Sequence, residues 1–115
     1  MNVRYKRADR VADVIHREIS YLLLKKVKDP RVRNVTVTGV KMTDDLRLAK
    51  VYYTSLDQDK SVVEEGLSSA GKMIRREIGQ VLNLRFVPEI RFDYDVSFDY
   101  ADRIERVIKE IKDES

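Results

Sequence analysis

Seven apolar residues, Ala8, Val11, Ala12, Ile15, Ile19, Leu22 and Leu23, recur at intervals of three and four and fall on one stripe of a helix running from Arg7 to about Lys26. A stripe this long cannot face water, so the rest of the chain must supply a second layer to cover it. Lys6, Arg10 and Arg17 lie on the opposite side with Asp13 as the one nearby acid, which displays the basic side chains outward together. The run "KDPR" stops the helix, because Pro30 pushes Asp29 out of helical geometry.

The period then changes. Val35, Val37, Val40 and Met42 read as a strand whose phase slips at Gly39, which suggests a bulge. Thr43, Asp44 and Asp45 make a tight turn, and "LRLAKVYYT", Leu46 to Thr54, returns as a second strand with Ala49, Val51 and Tyr53 on one face. After the polar "SLDQDKS", Val62, Val63, Leu67 and Ala70 form one helical face and Ile74, Ile78, Val81 and Leu82 another. A third strand over Phe86 to Tyr94 is placed at an edge or bulge by Pro88. Ser97 is suited to cap a last helix whose Ile104, Val107, Ile108 and Ile111 make its buried stripe. The order is that of an α+β fold, a small sheet covered by helices. It forms one domain over residues 1–112, with 113–115 as a frayed tail.

Three of the four glycines, Gly66, Gly71 and Gly79, fall within the helical stretch after the hairpin, where each costs about 1 kcal/mol relative to alanine. The segment "SSAG" is therefore read as a break between two helices. That break is either an ordinary turn with a C-cap glycine or a restart at Lys72 that offers free backbone N–H groups to an anion. In the second case the small Ser69, Ala70 and Gly71 allow a phosphate or ribose to approach, and Lys72, Arg75 and Arg76 add full charges.

Function is narrowed mostly by what is missing. The chain has 115 residues and no cysteine, so thiolate metal sites, disulfides and cysteine nucleophiles are excluded. Neither a membrane span nor a signal peptide is legible, and a cytoplasmic setting is expected. His16 stands alone at the edge of the first helix's solvent face, no phosphate-binding glycine loop is present, and the acids Asp44, Asp45, Glu64, Glu65, Asp93, Asp95 and Asp99 read as turn-forming and solvated rather than as Mg²⁺ ligands. Nor do the tyrosines line up as a base-stacking platform. No enzyme, metal or cofactor is expected.

The net charge of +3 conceals a pattern: residues 1–33 carry +6, 34–71 carry −2, 72–91 carry +3 and 92–115 carry −4. Charge alone leaves open a solvated, ion-paired surface and a positive face for a phosphate backbone.

Three blocks in this order, "RADRVADVIHREISYLL", "DPRVRNVTVTGVKMTDDLRLAKVYYT" and "SSAGKMIRREIGQVLNLRFVPEIRFDYD", resemble the ribosome-binding factor A family of bacterial small-subunit assembly factors. The resemblance implies a type II KH-like fold with an added C-terminal helix, in which a helix–kink–helix replaces the usual glycine loop. The family kink is Ala-x-Gly; here Ala70 holds the first place, Gly71 the second and Lys72 the third. It further implies a monomer that binds the 30S subunit or its precursor through 16S rRNA and assists late 16S rRNA maturation, with a role in cold adaptation and an assembly GTPase as a further partner. On this reading the RNA contacts are Lys6, Arg10, Arg17, Arg31, Arg33, Lys72, Arg75, Arg76 and Arg85, with Ser69, Ala70 and Gly71 giving close backbone approach. The rivals are a generic KH-like module for single-stranded RNA and a protein-interaction domain using Asp99, Asp102, Glu105 and Glu110 of the acidic last helix.

Overall fold

A computed structural model describes residues 5–56 and 59–114, with the backbone alone for 98–104, 113 and 114. Helix α1 spans Arg7–Lys25, followed by a 3₁₀ turn at Pro30–Val32, strands β1 (Val35–Met42) and β2 (Leu48–Ser55), helix α2 (Lys60–Val81), strand β3 (Glu89–Tyr94) and helix α3 (Val96–Glu114). The α+β class and the hairpin follow the periodicities of the sequence.

The expected stripe of α1 is the observed one: Ala8, Val11, Ala12, Ile15, Ile19, Leu22 and Leu23 are all buried. They lie over a three-stranded sheet in the order β1-β2-β3, with β1 and β2 antiparallel and β2 and β3 parallel. The crossover from β2 to β3 is α2, which adds Val63, Leu67, Ala70, Ile74 and Ile78 to the same core. Strand parity keeps that core on one face of the sheet: Ala49, Val51 and Tyr53 of β2 are buried there, while Lys50 and Tyr52 on the opposite face are half-buried. Tyr53 meets Phe92 and Tyr94 edge-on, at ring separations of 6.3 and 5.6 Å.

The register slips between Val37 and Gly39, which is the bulge inferred from the phase change. At the hairpin tip Thr43 Oγ1 donates to Asp45 Oδ1 (2.6 Å), and Asp45 also accepts from the Arg47 backbone N–H (3.1 Å). The acid shapes the turn, as expected, and carries the chain through Leu46, whose φ of +62° is the one positive value at a described non-glycine residue.

Four expectations need correction. First, α2 is one continuous helix through "SSAG", and no described glycine has a positive φ, so the left-handed cap that would end a helix at Gly71 is absent. Two of its glycines serve packing. A Cβ on Gly66 would lie 2.8 Å from both Arg31 Cβ and Val32 Cγ1, and one on Gly79 would lie 2.9 Å from Val87 Cγ2. Gly71 meets nothing within 4 Å, and no contact accounts for it.

Second, β3 begins at Glu89 rather than at Phe86; it is an edge strand, but Pro88 sits buried just ahead of it, where its missing N–H costs no ladder bond. Third, α3 is capped by Asp95, which accepts from the Ser97 backbone N–H (3.1 Å) and hydroxyl (2.5 Å), because the helix starts one residue before Ser97. Fourth, Val107, Ile108 and Ile111 are exposed, since α3 leaves the sheet rather than packing on it; the side chain of Ile104 lies outside the described residues. The helix runs to Glu114, past residue 112 where the sequence suggested a tail, and Ser115 is outside the described residues.

Candidate nucleic-acid interface

With α2 unbroken, the anion site at the start of a second helix has no structural basis. The N–H groups of Ser69, Ala70 and Gly71 lie in the helix interior, where the i→i−4 ladder uses them, and Ala70 is buried in the core. The true N-terminus of α2 is closed by Asp59, whose carboxylate accepts from the backbone N–H groups of Ser61 (3.1 Å) and Val62 (3.4 Å). The backbone N–H groups of Ser69, Ala70 and Gly71 are therefore closed to an anion, and Ala70 is buried away from any ligand.

Arg31 is also redirected inward. Its Nη2 donates to Asp29 Oδ2 at 2.6 Å and to Ser69 Oγ at 3.2 Å, its Nε bridges both Asp29 oxygens at 3.0 Å, and Glu65 lies 3.8 Å from Nη1. This bidentate pair fastens the 3₁₀ turn against α2 directly beside Gly66, so the charge is spent on structure. The side-chain hydrogen bond from Arg31, reinforced by the Arg31 backbone N–H, holds the Asp29 carboxyl below its usual value. Hydroxyl and backbone donors at the turn and the α2 cap do the same for Asp45 and Asp59. Because the folded-state values are lowered, this stabilisation is full above the ordinary carboxylate range near pH 4 and disappears as pH falls through the lowered values. Thermal unfolding followed from pH 7 to pH 2 is expected to show a flat midpoint down to about pH 5 and a fall below it, with Asp29→Asn falling less steeply than the parent.

The remaining cations divide between regions. Lys6, Arg10 and Arg17 are exposed along α1, and Lys6 Nζ reaches Asp44 Oδ2 of the hairpin tip at 3.5 Å, which brings the start of α1 beside that tip. Arg33 lines a shallow recess of about 180 Å³ with Ser20, Leu23, Leu24 and residues of β1. Lys72, Arg75 and Arg76 are exposed on the outer side of α2.

Four arginines meet at the hairpin end, of which the sequence pattern singled out two, Arg75 and Arg85. Arg7, Arg47 and Arg85 line a recess of about 270 Å³ with Asp45, Leu46, Leu84 and Phe86. A second recess of about 270 Å³ is lined by Arg47, Arg75, Phe86, Val87 and Glu89, so the two share Arg47 and Phe86. Four arginines from α1, the hairpin, α2 and the segment after it thus surround one phenylalanine that is 63% exposed. Arg75 Nη2 donates to the Val87 carbonyl at 3.4 Å, and the Arg85 guanidinium lies 5.5 Å from the Phe86 ring centroid. Guanidinium forks around an exposed ring are suited to phosphate oxygens and a stacked base. Arg7, Arg47 and Phe86 escaped the sequence reading because nothing local joins positions 7, 47, 75 and 86; the shift of Phe86 from strand to loop was the missing signal.

A groove of about 450 Å³ between α2 and β3, lined by Tyr53, Leu67, Ile90 and Phe92, also contains Glu64 and Asp93. Glu64 and Asp93 outnumber Arg91 in its lining, and Arg91 is paired with Asp93 at 3.3 Å, so the groove lacks the excess positive charge of the arginine end. Among the described residues no group of acids or His16 forms a metal cluster, and no helix is long and apolar enough to cross a membrane.

Comparison with known proteins agrees with this architecture. The family model for ribosome-binding factor A matches residues 7–108. The ribosome-binding factor A of Citrifermentans bemidjiense is 56% identical over 108 residues, covering 92% of this chain and 91% of that protein. The solution structure of a Thermotoga maritima protein assigned to ribosome binding factor A superposes with a TM-score of 0.67 at 31% identity, covering 81% of this chain and 90% of that one. A Thermus thermophilus ribosome binding factor A model, fitted into the cryo-EM map of its complex with 30S, superposes with a TM-score of 0.63 at 19% identity, over 76% of this chain and 93% of that one.

Proposed function

This chain belongs to the ribosome-binding factor A family, and on that premise we propose that it binds the 30S subunit or its precursor through 16S rRNA and assists late maturation of that RNA. The observation that carries the reading is the convergence of Arg7, Arg47, Arg75 and Arg85 around exposed Phe86, which offers several phosphate contacts and one stacking surface at a single end of the molecule. Lys6 and Arg10 extend this charge along α1, and Lys72 and Arg76 along α2. The protein acts without chemistry of its own: it holds immature RNA in one arrangement by binding that arrangement more tightly than the mature one. The frame is that of a type II KH-like domain, with α2 uninterrupted where the family kink was expected. A cytoplasmic monomer, a role in cold adaptation and an assembly GTPase as further partner complete the proposal.

Co-sedimentation with 30S subunits, 70S ribosomes and excess unrelated RNA at two salt concentrations tests it. Retention on 30S in the presence of the competitor is expected. Equal partition onto every RNA would leave the generic single-stranded RNA module in its place. The exposed Val107, Ile108 and Ile111 of α3, set among Glu105 and Glu110, favour a second reading in which α3 meets a protein. Retention on 30S that survives nuclease trimming of the RNA would support it.

A further inference from the structure

Among the described residues neither α1 nor α2 covers the face of the sheet opposite the core, and the described side chains of α3 beyond Ser97 are exposed; near the end of β3 the Asp95 carboxylate reaches across β2 and accepts from the Thr38 hydroxyl at 2.6 Å. Across this face Lys41 of β1 pairs directly with Lys50 of β2, and Lys50 pairs directly with Arg91 of β3. Like charges placed opposite one another on neighbouring strands repel, and here three stand in one row. Edge-strand lysines commonly protect against aggregation, but Lys50 is on the central strand, where no edge needs protecting. Arg91 is eased by Asp93 at 3.3 Å, whereas Lys41 and Lys50 make no ion pair among the described residues.

The next row on the same face is Gly39, Tyr52 and Asp93. A tyrosine beside a strand glycine commonly folds over it to cover the bare backbone. That explanation fails here, because a Cβ on Gly39 would meet nothing within 4 Å. Among the described residues the bulge at Gly39 therefore leaves space next to the Tyr52 side chain, beside the cationic row.

We propose that the cationic part of this sheet face is a second RNA site, which takes a short single-stranded segment with its phosphates over Lys41, Lys50 and Arg91 and one base against Tyr52 beside Gly39. Strand spacing sets the row at about 10 Å from Lys41 to Arg91, which is long enough for two successive phosphates. The ring gives a base a sequence-tolerant surface. The site lies on a different face from the arginine recesses and does not depend on them. An acidic protein segment would use the cations but has no need of the ring beside a bare glycine.

The chain contains no tryptophan, so Tyr52→Trp introduces a single reporter at the proposed stacking position. A labelled ten-nucleotide oligouridylate, titrated at several salt concentrations, is expected to quench that tryptophan. Lys41→Gln with Lys50→Gln in the same background should weaken the quenching transition about tenfold or more and lower its salt slope by roughly one to one and a half units. Arg47→Gln with Arg85→Gln should leave the transition in place, which separates this site from the arginine end. The lysine variant relieves repulsion and should melt no lower than its parent; Lys50→Gln alone gives the same test with half the slope change. Three results would overturn the proposal: no quenching while anisotropy shows the oligonucleotide bound, quenching indifferent to both lysines, or equal quenching by polyglutamate.

Discussion

Replacing Gly66 by alanine is expected to destabilise the protein by about 1–3 kcal/mol, the opposite of what the same change does in an ordinary helix. Helix propensity favours alanine over glycine by about 1 kcal/mol. At Gly66 the new methyl group would stand 2.8 Å from Arg31 Cβ and Val32 Cγ1, and neither can easily retreat. Val32 is fully buried, and Arg31 is pinned by its fork to Asp29. Overpacking of this kind costs more than the propensity returns. Gly71 supplies the control, because its position is open and its φ is not positive. Alanine there should raise stability by up to about 1 kcal/mol. At roughly 4 °C per kcal/mol for a chain of this size, thermal melts should move the two variants in opposite directions. A shared direction would mean that Gly66 is not a packing residue.

The largest functional effect is expected from Arg47→Gln combined with Arg85→Gln. Both residues line the same recess beside Phe86, and Arg47 also lines its neighbour. Charge-assisted hydrogen bonds contribute about 1.5–3 kcal/mol each, so losing two should weaken binding to 30S about a hundredfold or more. Both side chains are exposed, so melting should move by no more than about 2 °C. Lys72→Gln with Arg76→Gln should cost less, because these cations stand on the outer side of α2 and neither recess includes them.

How much of this was legible in sequence depends on how local each cause is. The stripe of α1, the alternation of β2 and the slip at Gly39 are written within a few residues, and the structure has them where the sequence put them. The glycines of α2 have a cause that is not local. Gly66 answers to a 3₁₀ turn more than thirty residues earlier and Gly79 to Val87 after the helix, so a reading confined to α2 takes close packing for a break. Arg31 misleads for the same reason, since spacing cannot reveal that Asp29 and Ser69 share its guanidinium. In α3 the period of the stripe was right and its partner was assumed; Val107, Ile108 and Ile111 face outward because α3 departs from the sheet. The arginine end drew on four separate segments, and only Arg75 and Arg85 belonged to the basic block after residue 71 that the charge pattern made conspicuous.

The central claim is that the arginine end meets ribosomal RNA phosphates. Its most direct test is the dependence of 30S affinity on salt concentration, measured for the parent and for Arg47→Gln with Arg85→Gln. If each arginine neutralises one phosphate, the variant's slope of log affinity against log salt should be shallower by about two units. A variant that binds more weakly with the parent's slope, or that binds equally well, would contradict the claim and move the RNA contact elsewhere on the molecule.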